Sequence, residues 1–328
     1  MRLVGIGLVV LMLAGAAPAR DHVIAILGDS RTDGEGTGPD AKLRAFANTA
    51  VLKVLLDRAR AAGAEAAFFT GDLVLGLEHE DSEGVEDAED VPGAGDWGKK
   101  GFIYDPSVFQ GQIDRVSRLV AKHLGPAVPF YPLIGNHEAV GPDAVERFAR
   151  TFGIVNRAPL PPEHLAYTAD VAGAHVALLA TDYFDPALHR LKEHDMKDAQ
   201  LSWLSRDLAA HPEARWRFVM AHEPAYSWAH KPKGLDKHAA VRDRFWSALQ
   251  AGQVGAFFCA HEHLYDRSVH GGIVQVISGG AGAPLVKEAG PKAFYHMMLV
   301  DLPESGRTAT VHVVDSNGVE RDRFTLGK

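Results

Sequence analysis

The chain has 328 residues, with 34 basic and 42 acidic side chains, a formal net charge of −8 and one cysteine. A mildly acidic protein without runs of Lys or Arg is a poor candidate for binding nucleic acid or an anionic membrane through broad electrostatic attraction. The single cysteine, Cys259, excludes an internal disulfide. Its apolar surroundings in VGAFFCA predict a buried hydrophobic side chain rather than a nucleophile.

Residues 1–19 have the pattern of a secretory signal peptide. Arg2 precedes the apolar segment LVGIGLVVLMLAGA, and APA before Arg20 fits cleavage after small residues. The apolar segment is shorter than the roughly 20 residues that a membrane-spanning helix needs, and no second long apolar segment follows. We therefore expect an exported protein, periplasmic or secreted, whose mature chain has no transmembrane segment.

Strands and helices alternate through the first two thirds of the mature chain. HVIAIL predicts a buried strand, and AKLRAFANTAVLKVLLDRARAAG has the apolar spacing of a helix that ends at Gly63. AEAAFFT, PFYPLI, AHVALLAT, RWRFVMA and VGAFFCA predict further strands. The segments SVFQGQIDRVSRLVAKHLG, DAQLSWLSRDLAA and KHAAVRDRFWSALQAG predict the helices between them.

After His263 the pattern changes to strands joined by tight turns: GGIVQVISG, AFYHMMLVDL, TATVHVVD and GVERDRFTL. Alternating strands and helices followed by a meander predict one α/β domain over residues 20–328, with a mixed or two-sheet core.

An acidic insertion lies near residues 78–101, and Glu78 to Asp96 hold nine acidic and no basic residues. A solvated loop, a calcium site and a lid that repels anions are the alternatives there, although the EF-hand spacing is not matched.

Five apolar segments end in a small residue followed by polar side chains. Because open α/β sheets place their sites at the carboxyl ends of the strands, we expect these side chains to meet at one edge. The small residue lets the chain turn sharply there. The residues are Asp29 in ILGD, Asp72 in FTGD, Asn136 and His137 in LIGNHE, His222 in VMAHEP, and His261 and His263 in FCAHEH.

These side chains offer oxygen and nitrogen ligands for metal ions. Carboxylates, an amide and imidazoles without thiolates suit Zn, Mn or Fe rather than a cysteine-rich structural zinc site. Two carboxylates, one amide and three imidazoles are more ligands than one ion normally takes, and a carboxylate can bridge two ions. The set therefore predicts a centre of two divalent or trivalent metal ions.

The ordered set GD, GD, GNHE, AHEP and HxH, which spans Val23 to Pro284, resembles the calcineurin-like metallophosphoesterases, and most closely their exported branch of purple acid phosphatase-like enzymes. The resemblance implies a four-layer α/β/β/α sandwich with a dinuclear site at the carboxyl ends of the strands. It implies that His137 contacts the phosphoryl group or the leaving oxygen. It also implies the ligands: Asp29 and His263 for the first ion, Asp72 as the bridge, and Asn136, His222 and His261 for the second ion.

Two positions depart from the family's pattern. Arg31 stands where the family usually has a histidine ligand, and Leu75 stands where the purple enzymes have a tyrosine, so no tyrosinate-to-iron colour is expected. Either a residue outside the motifs, with Asp33 as a candidate, completes the first site, or the first ion binds weakly. Arg31 cannot replace an imidazole ligand, because guanidinium stays protonated. It either grips a substrate phosphate through two parallel hydrogen bonds or pairs with a nearby carboxylate.

The implied reaction is hydrolysis of a small phosphomonoester or phosphodiester by a metal-activated hydroxide. Two cations lower the pKa of a bridging water and offset the charge of the phosphoryl group during in-line attack. A leaving alkoxide needs a proton, and the ordinary pKa of a histidine, about 6.5, suits His137 for that role.

Several further residues are candidates for supporting roles. His230, in SWAHKPKGLDKH, is a candidate substrate contact. Glu138, Glu223 and Glu262 each accompany a candidate ligand, and we expect them to orient it or simply to flank it rather than to coordinate metal. Asp182 belongs either to the edge of the site or to a turn, and the glycine-rich SGGAGAP either borders the pocket or only turns the backbone.

Two other functions stay open. GDSRTDG resembles the first block of GDSL-type serine esterases, with Ser30 as the nucleophile. Such an enzyme needs an Asp-x-x-His block, and DRSVH spaces Asp266 and His270 one residue too far apart. The esterase interpretation explains one stretch and the metal interpretation five. Alternatively, a chain that lacks one first-metal ligand is a degenerate relative that only binds a phosphorylated ligand.

Overall fold

The computed structural model describes residues 22–32, 46–79 and 102–327. The predicted signal peptide, Asp33 and most of the acidic insertion lie outside the described residues. In chain order the described strands and helices are β1 (His22–Leu27), α1 (Thr49–Ala61), β2 (Ala66–Thr70), β3 (Glu78–His79), β4 (Phe102–Ile103), α2 (Pro106–Leu124), β5 (Phe130–Leu133), α3 (Ala144–Thr151), β6 (Tyr167–Val171), β7 (Ala174–Leu178), β8 (Tyr183–Asp185), β9 (Arg190–Lys192), α4 (Asp198–Ala210), β10 (Trp216–Met220), α5 (Ala239–Ala251), β11 (Ala256–Cys259), β12 (Tyr265–His270), β13 (Ile273–Ser278), β14 (His296–Leu302), β15 (Thr308–Asp315) and β16 (Glu320–Gly327).

Two six-stranded mixed sheets form the centre of the fold. The first has the strand order β16-β15-β14-β1-β2-β5, and the second has the order β12-β13-β11-β10-β7-β6. In the first sheet β1, β2 and β5 are parallel, whereas β14, β15 and β16 are antiparallel to their neighbours. In the second sheet β7, β10, β11 and β13 are parallel, and β6 and β12 are antiparallel at the edges.

The sheets are stacked between two layers of helices. Alternate residues of β10 point to opposite sides: Phe218 lies in the core between the sheets, whereas Val219 packs with Leu204 of α4 and Phe245 of α5. On the outer side of the first sheet, the core includes apolar residues of α1, α2 and α3. The predicted four-layer α/β/β/α sandwich is therefore confirmed.

Local chemistry explains where the longest helix begins. Pro106 occupies the first turn of α2, and the carboxylate of Asp105 accepts hydrogen bonds from the backbone N–H groups of Ser107 and Val108 at 2.7 and 2.9 Å. The sequence predicts this helix, the strands at the candidate site and the C-terminal meander close to their observed bounds.

The segments that the sequence did not predict are short or lie at an edge. They are α3, the hairpins β3–β4 and β8–β9, and the edge strands β6 and β12. In β12 only the first residue, Tyr265, is buried, so the strand carries little hydrophobic signal.

Cys259 is buried, as predicted. Among the described residues, no helix has both the length and the hydropathy needed to cross a membrane.

Candidate metal centre

The candidate ligands lie where the parallel strands of both sheets end. Asp29 follows β1, Asp72 follows β2, His222 follows β10 and His261 follows β11. The backbones of three of these residues are left-handed, with φ of 60° at Asp29, 56° at Asp72 and 68° at His261. Non-glycine residues adopt this conformation at a cost and mostly at functional sites, so the fold holds these side chains in a strained turn at its edge.

Two glycines let the backbone approach the carboxylates closely. A Cβ atom on Gly135 would lie 2.3 Å from Oδ1 of Asp72, and a Cβ atom on Gly279 would lie 2.4 Å from Oδ2 of Asp29. Only glycine fits at such distances. Gly279 belongs to SGGAGAP, so this glycine-rich stretch does border the site.

Three candidate ligand atoms lie close to Nε2 of His222. Nε2 of His222 lies 3.1 Å from Oδ1 of Asn136, 3.1 Å from Nδ1 of His261 and 3.3 Å from Oδ1 of Asp72. Nδ1 of His222 lies 2.8 Å from the carbonyl oxygen of Thr70, to which it donates. This bond fixes the tautomer of the ring, so Nε2 is the atom aimed into the cluster.

Electrostatics couple Asp72 and His222. Burial alone would raise the pKa of Asp72, but the neighbouring His222 and His137 rings lower it well below its usual value. Burial alone would lower the pKa of His222, but Asp72 and then Asp29 raise it well above its usual value. Burial and the neighbouring His222 lower the pKa of His261 well below its usual value. The buried carboxylates therefore require a positive charge at this point, a proton or a metal ion.

Asp29 also fits a cation. Its side chain is fully buried; Oδ2 accepts a hydrogen bond from the backbone of His261 at 2.7 Å, while Oδ1 has no hydrogen-bond partner among the described residues. Burial raises the pKa of Asp29 well above its usual value. One ligand atom from each of Asp29, Asp72 and His222 lies within 4.8 Å of the others, so Asp29 belongs to the same cluster.

His263 lies on the other side of Asp72, and Arg31 lies between them. Nδ1 of His263 lies 2.8 Å from the carbonyl oxygen of Pro284, and Nε2 lies 3.3 Å from Nη2 of Arg31. Nε of Arg31 lies 3.3 Å from Oδ2 of Asp72. Burial and the Arg31 charge lower the pKa of His263 to about 3. Of the two alternatives for Arg31, the carboxylate pair is observed.

His137 is buried beneath the cluster. Its Nδ1 atom lies 2.6 Å from the carbonyl oxygen of Leu75, and its Nε2 atom lies 3.9 Å from Oδ2 of Asp72. Burial and the Arg31 charge lower its pKa to about 3. The ring is therefore neutral at pH 7, and it can donate a proton to a leaving group only after the charge of a bound phosphate raises its pKa.

Two of the three flanking glutamates hold the polypeptide around the ligands. The carboxylate of Glu138 accepts backbone hydrogen bonds from Asp72, Val74 and Gly135 at 2.9, 3.1 and 2.9 Å. Glu262 accepts backbone hydrogen bonds from the segment that follows His222, at residues 228 and 229. Both thus hold loops of the site in place, as an orienting role requires.

The remaining candidates have different surroundings. His230 is exposed, and among the described residues no contact joins it to the cluster. Asp182 is fully buried rather than in a surface turn, and its charge contributes to the raised pKa of His222. Ser30 is fully buried, and its hydroxyl donates to the carbonyl oxygen of Leu73 at 2.7 Å, with no histidine beside it among the described contacts.

His194 and Lys237 extend the site, and no sequence motif marks them. Nδ1 of His194 lies 2.6 Å from Oε1 of the buried Glu223, and Nε2 lies 2.8 Å from Nζ of Lys237. The His194 ring meets that of His261 edge-on at 6.1 Å between centroids. His194 also has a left-handed backbone, with φ of 61°. A strained turn is a property of the backbone, so the sequence carries no signal for this residue.

The chain is similar to proteins of one family. Residues 22–265 match the calcineurin-like phosphoesterase family. No curated protein matches the chain by sequence.

Solved structures share the fold. The purple acid phosphatase PPD1 isolated from yellow lupin (Lupinus luteus) seeds is 15% identical, with a TM-score of 0.62 over 94% of this chain and 54% of the lupin chain, so the chain spans about half of that protein's length. A dimetal phosphatase from Danio rerio is 15% identical, with a TM-score of 0.60 over 93% of this chain and 98% of that one. GAP50, the anchor in the inner membrane complex of Plasmodium, is 12% identical, with a TM-score of 0.53 over 94% and 89%.

Proposed function

The chain belongs to the calcineurin-like phosphoesterase family, and on that premise we propose that it is an exported, metal-dependent hydrolase of small phosphomonoesters or phosphodiesters. The N-terminal pattern of residues 1–19 supports export. We also propose that the chain belongs to the exported branch of the family that resembles purple acid phosphatases, and that its metal is Mn, Fe or Zn.

One observation carries the proposal: three candidate ligand atoms lie 3.1–3.3 Å from Nε2 of His222 at the edge of the sheets. Ligands held about 2.0–2.2 Å from one ion lie roughly 3 Å from each other. The separations of 3.1–3.3 Å between Nε2 of His222 and the other three atoms fit this geometry. The residues that would hold the ion are Asp72, Asn136, His222 and His261.

The family implies a site for two metal ions, and the residues of this chain fit the two places unequally. At the second place three candidate ligand atoms already lie within 3.3 Å of Nε2 of His222. For the first place the family pattern supplies only Asp29, Asp72 and His263, and the guanidinium of Arg31 lies between the last two. Metal ions in such a centre would bind phosphate oxygens and lower the pKa of a bound water.

Side chains of this chain supply the other requirements of phosphoester hydrolysis. Arg31 places a permanent positive charge beside the cluster, where it can bind a phosphate oxygen. His137 holds a neutral imidazole beside Asp72, and its proton affinity rises when a phosphate anion binds nearby. Glu138 holds the backbone of Asp72 and of Gly135 in place.

Catalysis requires a direct test, because one fold serves several functions. The structurally similar GAP50 is described as an anchor. The esterase alternative gains nothing from the structure, since the Ser30 hydroxyl is buried against the Leu73 carbonyl.

The test is hydrolysis of p-nitrophenyl phosphate, bis-p-nitrophenyl phosphate and p-nitrophenyl acetate by the purified chain, before and after chelation. Phosphoester turnover that chelation abolishes and added Zn, Mn or Fe restores supports the proposal. Acetate hydrolysis that survives chelation and disappears in Ser30→Ala contradicts it in favour of an esterase. An absence of turnover with every added metal contradicts it in favour of a protein that only binds phosphorylated ligands.

A further inference from the structure

Arg31 lies where the first metal ion of the family's centre would need to be. Its Nε atom lies 3.3 Å from Oδ2 of Asp72, and its Nη2 atom lies 3.3 Å from Nε2 of His263. Asp72 is the candidate bridging ligand and His263 a candidate ligand of the first ion. The guanidinium therefore joins the same two side chains that an ion in this place would join.

The hydrogen bonds of His263 and Asp72 direct one ligand atom of each residue at Arg31. His263 donates from Nδ1 to the Pro284 carbonyl oxygen at 2.8 Å, so its Nε2 atom presents a lone pair. Asp72 uses its two oxygens on opposite sides: Oδ1 faces His222, and Oδ2 faces Arg31. Each atom that the first ion would use on this side thus already faces an N–H of the guanidinium.

A guanidinium cannot leave this place by losing its charge, because it stays protonated in proteins. The Arg31 side chain is 12% exposed and that of Asp72 is 1% exposed. Like charges in contact repel strongly where water screens them poorly. A divalent ion between Asp72 and His263 would have to displace the Arg31 guanidinium or share the space with it.

The buried carboxylates of the site require a cation in addition to Arg31. Asp29 and Asp72 are both buried, and the guanidinium offsets only part of their charge. A cation held by Asp72 and His222 would supply further positive charge close to Asp29, since one ligand atom of each of these three residues lies within 4.8 Å of the others.

We propose that the guanidinium of Arg31 takes the place of the first metal ion, and that the protein binds one metal ion per chain, at Asp72, Asn136, His222 and His261. This inference rests on the proposed metal-dependent function. It assigns to Arg31 a structural positive charge where the family pattern has a histidine ligand.

The experiment counts metal ions in the wild-type chain and in Arg31→His, which puts an imidazole where the family pattern has one. Each protein is stripped with chelator, dialysed against Mn²⁺ and analysed for metal by mass spectrometry. We expect about one ion per chain in the wild type and about two in the variant. Electron paramagnetic resonance of the Mn²⁺ proteins gives an independent readout, since an isolated ion and a spin-coupled pair have different spectra.

Arg206→His is the matched control, because Arg206 is exposed on α4 and the same substitution there adds a histidine away from the site. The control should retain about one ion. If Arg31→His fails to fold, Arg31→Ala replaces it, and a second ion should then bind at higher Mn²⁺ concentrations than the first.

Two results overturn the inference: about two ions in the wild type, or a folded Arg31→His that holds no more metal than the wild type. Both leave the proposed function intact, since a metal-dependent phosphoesterase can use two ions. A wild-type chain that binds no metal and hydrolyses no phosphoester instead contradicts the proposed function itself.

Discussion

Nε2 of His222 lies 3.1 Å from Oδ1 of Asn136, although 86 residues separate them in the sequence. Because Nδ1 of His222 donates to the Thr70 carbonyl oxygen, a neutral ring would direct a lone pair at the lone pairs of the amide oxygen. Two acceptors at this distance repel each other unless a proton or a metal ion lies between them. This contact therefore marks the point in the site where a positive charge is needed.

The first prediction concerns that contact. His222→Ala removes the ligand that lies close to the three others, so we expect metal affinity and phosphoester turnover each to fall by at least about 100-fold. Metal titration followed by calorimetry and a p-nitrophenyl phosphate assay measure the two losses. His189→Ala, at an exposed position, is the control. Full metal binding by the folded His222→Ala variant would contradict the assigned ligands.

The second prediction separates proton donation by His137 from a purely structural role. His137→Asn should slow the hydrolysis of an alkyl phosphate by about 10²- to 10⁴-fold, because a poor leaving group needs the proton. The p-nitrophenolate ion leaves without help, so turnover of p-nitrophenyl phosphate should fall much less. The ratio of kcat for the two substrates is the measurement. An equal loss on both substrates would rule out proton donation to the leaving group.

The third prediction tests whether Arg31 contacts phosphate. Arg31→Lys keeps the charge but loses the planar fork that can bind two oxygens at once. We expect KM for a phosphomonoester to rise about tenfold, with the melting temperature as a check on folding. Arg206→Lys, on the exposed face of α4, serves for comparison. An unchanged KM would refute phosphate binding by this side chain.

The fourth prediction addresses Glu138, whose buried carboxylate accepts three backbone hydrogen bonds. In Glu138→Gln an amide N–H group would face at least one of these backbone donors, so the free energy of unfolding should decrease by about 1–3 kcal/mol. Urea denaturation measures this, and Glu213→Gln at an exposed position is the control. Equal stability of wild type and Glu138→Gln would show that the bonds contribute nothing.

The fifth prediction concerns His175, which is not among the candidate metal ligands and whose ring pairs with two carboxylates. Its Nδ1 atom lies 2.7 Å from Oδ1 of Asp170, and its Nε2 atom lies 2.7 Å from Oδ2 of Asp207. Burial opposes the charge, but Asp207 and then Asp170 raise the pKa of His175 above its usual value. Both nitrogens donate only in the protonated ring, so protonation links β6, β7 and α4.

Because this pKa is raised on folding, the stabilisation is complete below the ordinary histidine pKa of about 6.5. It is lost as the pH rises through the folded-state pKa. His175→Asn should therefore lower the free energy of unfolding by about 1–3 kcal/mol at pH 6 and by clearly less at pH 9. Urea denaturation at both pH values, with the exposed His238→Asn for comparison, checks this. A loss independent of pH would refute the charged pair.

The strands that carry the ligands were predictable because each is a continuous apolar segment that ends in a small residue and a polar one. Buried parallel strands have this pattern since both of their faces are covered. The edge strand β12 was not predictable, because most of its residues are partly exposed. The eight-residue helix α3 is too short for a clear helical period.

The contacts of Arg31 show where prediction from the sequence stops. The motif placed Arg31 beside Asp29 in the chain and left a phosphate contact and a carboxylate pair as alternatives. Its approach to His263 joins residues 232 positions apart and depends on side-chain rotamers rather than on a pattern. His194 was missed for a similar reason, since its position depends on a left-handed turn and on the distant Lys237.

The left-handed backbones of Asp29, Asp72 and His261 have a consequence for laboratory evolution. A left-handed backbone costs most side chains other than glycine about 1 kcal/mol or more, and it costs asparagine and aspartate less. Variants selected for survival of heating alone should therefore accumulate glycine or asparagine at these three positions, gaining thermal resistance while they lose chemistry. A library screened without an activity requirement would therefore lose candidate ligands of the metal centre while it gains stability.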